Sequence, residues 1–247
     1  MQVSKLVHIG TSGWHYQHWR DVFYPKELVK KDWLKYYAQH FRTVEINNSF
    51  YKLPSEETLK KWRDTVPADF TFSVKASRYI THQKKLKDPQ QTLHNLLERL
   101  TILGDKLGPI LFQLPPYWHC DRERLNEFLL ALPKDYRYAF EFRDRSWFNP
   151  QVYEMLSTQK VAFCIYELAE QLSPKEITAN FTYWRFHGSD GAYQGQYSIQ
   201  KLIELANIFS NLTRLGKEIY CYFDNDECGY AARDALKLQA IIRENSE

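Results

Sequence analysis

Charged side chains recur at alternate positions within short apolar stretches of this chain. In TVEIN, Glu45 stands between Val44 and Ile46, with Thr43 and Asn47 on its own phase. In FTFSVK, Lys75 shares a phase with Thr71 and Ser73, against Phe70, Phe72 and Val74. YAFEFR sets Glu141 and Arg143 against Phe140 and Phe142, and TYWRFH sets Tyr183, Arg185 and His187 against Trp184 and Phe186. A β-strand alternates faces with period two, so each stretch presents an apolar face and an ionic one. Two carboxylates, Glu45 and Glu141, are then a candidate general acid/base pair, with His187 as a proton relay. Lys75, Arg143 and Arg185 suit a phosphate, a carboxylate or a developing oxyanion. Asn47, Gln113 and Asn225 add amide donors and acceptors, and Trp14 a ring against which a substrate packs. The same counting gives Asp224 the outward phase.

Burying one unpaired charge costs several kcal/mol, of the order of a whole domain's stability, so these groups must pair or meet water and ligand. A purely structural ion network is the alternative for each residue taken singly. Gathered at one end of a barrel, where branched apolar layers would otherwise stack, the set points to a site.

The positioning elements follow from the same pattern. Strand-like stretches fall at residues 7–12, 43–47, 70–75, 109–114, 138–143, 161–166, 182–187 and 218–223. Each is short, rich in aromatic or β-branched residues, and bounded by polar residues, Gly or Pro. Helical patterns lie between them. Asp32 is placed to cap WLKYYAQHF, and Ser55 opens a helix with Glu56 and Glu57 in its first turn. Leu93, Leu96, Leu97 and Leu100 share one face of a helix that Gly104 should stop. A helix is also expected within 167–181, on the weakest pattern of the set. Eight β-then-α units predict an α/β fold, a (β/α)8 TIM barrel, as one domain over 1–247. An open doubly wound sheet would want GxGxxG after its first strand, and the turn here is GTSGW, Gly10–Trp14.

Loops after strands form the catalytic face of such a barrel. The loop GSDGAYQG carries Gly188 and Gly191, and NDECGYA runs into the last helix, so this pair of loops is a candidate phosphate site. The loop SRYITHQKKLKD adds basic residues, as does the long first loop, which tilts the expected ligand toward an anion. Tyr16, Trp19, Tyr51, Tyr117, Trp118 and Trp147 also follow strands and offer stacking surfaces or loop anchors.

Several chemistries find little support. Glu45, Glu141, His187 and Asp224 offer metal-ligand atoms, but Lys75, Arg143 and Arg185 would repel a divalent ion and there is no HExxH spacing. No metal ligand and no cofactor is assigned, a divalent metal being the weaker alternative. There is no GxSxG elbow, and Cys120, Cys164, Cys221 and Cys228 form no CxxC pair. The 247 residues carry a net charge of +3, which permits an anionic partner without demanding one. No apolar run approaches a membrane span, and MQVSKLVHIG has no signal-type apolar core, so a soluble, cytoplasmic protein is expected.

GTSGWHYQHWRDVFYP, TVEINNSFY, FSVKASRYITH, LGPILFQLPP, AFEFRDRSW, YWRFHG and YFDNDECGYAARDA, in this order, resemble the motifs of the YecE-like family, domain of unknown function 72. The resemblance runs from about His8 to Ile242. It implies a TIM barrel, loosely grouped with sugar isomerases and similar to the barrel of an apurinic-site endonuclease. The family's polar motif residues fall here on Glu45, Asn47, Lys75, Gln113, Glu141, Arg143, His187 and Asn225. One departure is Asp224, where the family more often has asparagine.

Three functions stay open on this reading. The first is an enzyme using acid/base chemistry on a small polar anion, a phosphosugar or sugar-like molecule. The second is a nucleic-acid-binding protein with endonuclease-like chemistry, and the third a non-catalytic ligand-binding protein.

Overall fold

The computed structural model describes residues 6–169 and 171–245. Met1–Lys5, where no signal-type core was found, and Glu170, within the expected helix at 167–181, lie outside the described residues. In chain order the elements are β1 (Val7–Thr11), α1 (Trp33–His40), β2 (Thr43–Ile46), α2 (Glu56–Thr65), β3 (Thr71–Lys75), α3 (Pro89–Leu100), β4 (Leu107–Gln113), α4 (Arg122–Leu130) and β5 (Tyr138–Glu141). They continue with α5 (Pro150–Thr158), β6 (Ala162–Leu168), β7 (Gln171–Leu172), β8 (Phe181–Phe186), α6 (Ile199–Arg214), β9 (Glu218–Phe223) and α7 (Tyr230–Glu244).

The strands follow the order β1-β9-β8-β6-β5-β4-β3-β2, with β7 an antiparallel addition to β6. The last strand of the chain therefore pairs with the first, in parallel, from Val7↔Ile219 to Thr11↔Phe223. A parallel bridge between Ser12 and Glu45, with Gly13 N–H donating to Glu45 C=O at 2.8 Å, ties β2 to β1. Eight parallel strands in this cyclic order, interleaved with helices, define the (β/α)8 TIM-barrel class.

The described residues form two compact units. One lies within Met1–Glu45, Ile165–Lys175 and Asn180–Glu247. In it, β1, β9 and β8 carry buried aromatic and β-branched residues, covered by α6 through Leu202, Leu205 and Phe209 and by α7 through Ala231, Ala235 and Leu238. Gly10 is required where β1 passes β2, because a Cβ there would meet the carbonyl oxygen of Thr43. The long first loop is held by rings, with Tyr24 stacked on Trp33 at 4.8 Å and Phe23 edge-on to Tyr36 and Tyr37.

The other unit comprises Ile46–Cys164 and Glu176–Ala179. Its strands β3, β4 and β5 pair in parallel, and Phe112, Phe128 and Phe140 meet between β4, α4 and β5. Ser55, Asp121 and Asn149 cap α2, α4 and α5 by accepting from Thr58, Arg124 and Val152 N–H groups, as their residue types favour.

The structure departs from the sequence pattern at identifiable points. Asp32 precedes α1 but has helical dihedrals, ends a 3-10 turn and makes no capping hydrogen bond. Gly104 does not stop α3 directly: the helix ends at Leu100, and Gly104 breaks the 3-10 turn that follows, at φ 54° and ψ −134°. No helix occurs among the described residues of 167–181. There β6 runs on to Leu168, and hydroxyls replace helical bonds: Ser173 Oγ accepts from Tyr166 N–H and Thr178 Oγ1 from Phe163 N–H, both at 2.8 Å. Several strands end earlier than their apolar alternation. Asn47, Arg143 and His187 thus stand just past the strand ends rather than within them.

Candidate active site

A buried ionic chain lies in the first unit. β2 delivers Glu45, β8 delivers Arg185, and the segments just beyond β8 and β9 deliver His187 and Asp224. Glu45 is fully buried and fully engaged. Its Oε1 accepts from Ser12 Oγ at 2.5 Å and from Arg185 Nη2 at 2.8 Å, and its Oε2 from Tyr183 OH at 2.7 Å. Three donors on one carboxylate answer how a charge survives inside a strand. Tyr183 remains a neutral donor, because burial and the Glu45 charge push its phenol well above the usual range.

Arg185 also reaches Asp224 Oδ2 at 3.2 Å, and its Nη1 lies 3.3 Å from His187 Nε2. A guanidinium only donates, so Nε2 of His187 is the accepting nitrogen and the proton sits on Nδ1. His187 Nδ1 lies 2.9 Å from Asp224 Oδ2. His187 thus stands between the guanidinium and Asp224.

Asp224 has the opposite placement to the one its phase predicted. β9 ends at Phe223, so alternation no longer governs the next residue. Asp224 N–H donates to Phe186 C=O at 2.8 Å, and its side chain turns to Arg185 and His187.

From Asp224 the chain opens on a cleft of about 500 Å³, lined by Tyr16, His18, Tyr193, Asp224, Asp226 and Glu227 among others. Asp226 is a residue that strand counting did not single out. Trp19 Nε1 donates to its Oδ1 at 2.5 Å, and His18 Nε2 stands 2.9 Å from its Oδ2. Burial, with the Asp224 charge adding to it, raises the Asp226 carboxyl to about 6. Tyr16 donates to Ser12 C=O at 2.5 Å, and burial beside Asp224, Asp226 and Glu45 keeps its phenol protonated. Tyr193 crosses His187 edge-on at 5.4 Å, with its N–H on the His187 carbonyl.

The glycine loop is closed on itself. Gly188 has φ +126°, and a Cβ there would meet the carbonyl oxygens of Gln194 and Gly191. Its N–H donates to Tyr197 OH at 3.1 Å, so this donor is committed inside the protein rather than offered to a phosphate. Gly191 is bridged to Gln194. Asn225 is buried and donates to Gly195 C=O and to Asp234 Oδ2, which makes it the pin of this loop. Trp14 is buried too, and its backbone carbonyl accepts from Tyr24 OH at 2.7 Å.

The second unit holds its own ionic group. Gln113 Nε2 donates to Glu141 Oε1 at 2.7 Å, Arg143 pairs with the same oxygen, and Cys164 Sγ lies 3.8 Å from Oε2. Lys75 Nζ stands 4.2 Å from the Phe50 ring centroid, a cation–π contact. Asn47 keeps a buried Oδ1 without a hydrogen-bond partner among the described residues. Of the remaining ring candidates, Trp147 is buried, while Tyr51 and Tyr117 are exposed. Among the described residues no group of three His, Cys, Asp or Glu side chains is arranged to hold a metal ion, and no helix is long and apolar enough to cross a membrane.

Cyclic strand order and polar residues at the strand ends place this chain among the (β/α)8 barrels. Residues 8–247 match the family described as "Protein of unknown function DUF72". The chain belongs to that family. It is 27% identical to the UPF0759 protein YunF of Bacillus subtilis, over 96% of this chain and 95% of that protein. It is 29% identical to the UPF0759 protein YecE of Escherichia coli, over 58% of this chain and 50% of that protein. A crystal structure of a DUF72 family protein from Thermotoga maritima is similar at a TM-score of 0.85 and 31% identity, covering 96% of this chain and 99% of that one. A DUF72 family protein from Enterococcus faecalis is similar at a TM-score of 0.83 and 22% identity, which supports the fold alone.

Proposed function

We propose that the protein is an enzyme performing general acid/base chemistry on a small, neutral, sugar-like polyol in the cleft of the first unit. The observation that carries this reading is a pair of carboxyl groups in one cleft with opposed environments. Asp224 is held against Arg185 and His187, while burial and like charge raise Asp226 to about 6. Two carboxyls in such different environments can divide the labour of acid and base.

In this scheme Asp226 delivers a proton to a substrate oxygen. Asp224 takes one from a hydroxyl or an adjacent carbon, and His187 and Arg185 hold it in position. Glu45 sets Arg185 and does not itself reach substrate. Isomerisation and hydrolysis both need these parts. The anion suggested by the sequence fits this cleft poorly, because Asp224, Asp226 and Glu227 would repel phosphate. The same three side chains accept hydrogen bonds from hydroxyls, and the Tyr16 and Tyr193 rings pack against a sugar face. Nucleic acid is disfavoured here for the same reason.

The test is a binding screen by calorimetry with neutral monosaccharides and glycosides beside their phosphate esters, followed by NMR detection of conversion. Neutral compounds should bind and be converted. Asp226→Asn should keep binding and lower turnover by about 10²–10⁴-fold. Preferential binding of phosphate esters, or turnover untouched in Asp226→Asn, overturns the reading.

A further inference from the structure

A second cavity lies in the other unit, where α4 and α5 end and β5 begins. It has a volume of about 370 Å³, and its walls include Leu132, Lys134, Tyr136, Tyr138, Gln159 and Lys160. Tyr138 opens β5 and Glu141 closes it, so the cavity lies at the other end of that strand from the Glu141–Arg143 pair. Nothing in the chemistry proposed above uses it.

Three observations give this cavity a chemical character. First, two lysines, Lys134 and Lys160, line it, and no Asp or Glu does. Asp135 lies near enough to act on the Tyr138 phenol but is not part of that wall. Second, Tyr138 is 3% exposed, and its hydroxyl is buried without a hydrogen-bond partner among the described residues. A buried hydroxyl normally finds a partner, and one that does not is held for something else or lost at a cost. Third, Lys160 sits at φ +57°, a backbone conformation that an L residue adopts unwillingly and that glycine would fill at no strain. Lys160 lines the cavity, where Lys134 donates to Gln159 Oε1. Leu132, Pro133 and two tyrosines share the wall with the polar Thr158 and Gln159, and Tyr136 meets Tyr138 edge-on at 6.4 Å.

We infer that this cavity is a binding site for a small organic anion with a flat apolar body, of the aromatic carboxylate or aryl phosphate class. Its anionic head lies between Lys134 and Lys160, its body against Leu132 and Tyr136, and the Tyr138 hydroxyl supplies a hydrogen bond to it. The volume suits a ligand of this size, since small-molecule pockets begin at about 300 Å³. An alkyl chain would not use the ring edges, and a bare inorganic ion would leave the apolar wall unfilled.

The probes are benzoate and phenyl phosphate, with benzyl alcohol as the neutral control and inorganic phosphate as the control without a ring. Each is titrated into the full chain by calorimetry and by ¹H–¹⁵N NMR. Saturable binding of benzoate or phenyl phosphate, at least about tenfold tighter than either control, is expected, with shifts at Tyr138 and Gln159. Tyr138→Phe should weaken that binding by about tenfold while leaving the melting temperature equal or higher, because it removes a buried hydroxyl that has no partner in the unliganded protein. Lys160→Gly, which also relieves the backbone, should weaken the anions and leave benzyl alcohol unchanged. A Tyr138→Phe chain that melts lower and binds equally well would make the tyrosine structural and overturn the site. So would anions binding no better than benzyl alcohol, or affinity unchanged in both variants.

Discussion

Replacing Asp226 by asparagine removes the proposed acid while keeping its shape. In the folded protein, burial foremost and then the neighbouring Asp224 charge move this carboxyl from 3.8 to about 6. A change of this size corresponds to about 3 kcal/mol. Because the folded value is the raised one, the native state keeps a proton that the unfolded chain has already released. The stability tied to that proton is full below about pH 4 and is lost as pH rises through about 6. Asp226→Asn keeps an oxygen for the Trp19 indole, which lies 2.5 Å from Oδ1, and deletes the charge that faces Asp224. Urea unfolding of both proteins from about pH 3.5 to about 8 gives a difference curve in which groups untouched by the substitution cancel. Wild-type stability minus that of the variant should fall by about 2–3 kcal/mol across the window. A flat curve refutes the raised carboxyl. A curve rising with pH shows a stabilised carboxylate, and Asp226 then cannot be the proton donor at neutral pH.

Other substitutions address the frame around it. Arg185→Met strips the cation from Glu45 and Asp224 and should cost about 3–5 kcal/mol at neutral pH. A loss below about 1 kcal/mol in urea would show that the pairing contributes little. Tyr183→Phe removes the donor on Glu45 Oε2 and should cost about 1–3 kcal/mol by the same measurement. Gly188→Ala, at φ +126° and against two carbonyl oxygens, should lower stability by about 1–3 kcal/mol in thermal unfolding, and an unchanged melting temperature would contradict the closed loop.

The strand cores were legible because apolar alternation reports a buried face directly: Val44 and Ile46 bracket Glu45, and Trp184 and Phe186 bracket Arg185. That pattern is silent about where hydrogen bonding stops. Asp224 shows the consequence, since counting carried through the end of β9 turned it away from the residues it contacts. Asp226 was illegible for a different reason. Its environment is made by Trp19, 207 residues away in sequence, so only the tertiary structure brings the indole to the carboxyl. The glycines after β8 suggested an open anion cradle, because Gly marks an unusual backbone without saying what occupies it. Here the occupant is the protein itself, through Tyr197 and Asn225. The sequence pattern of 167–181 suggests a helix, but Ser173 and Thr178 satisfy strand backbone there, a choice that depends on partners outside any local window.

Trp19 gives the cleft an optical reporter that needs no label. Its indole N–H donates to one oxygen of the carboxyl whose proton is in question, so its emission should respond when Asp226 gains or loses charge. The six other tryptophans supply a background that Trp19→Phe would subtract. Fluorescence against pH would then follow one carboxyl in solution, before any substrate is known.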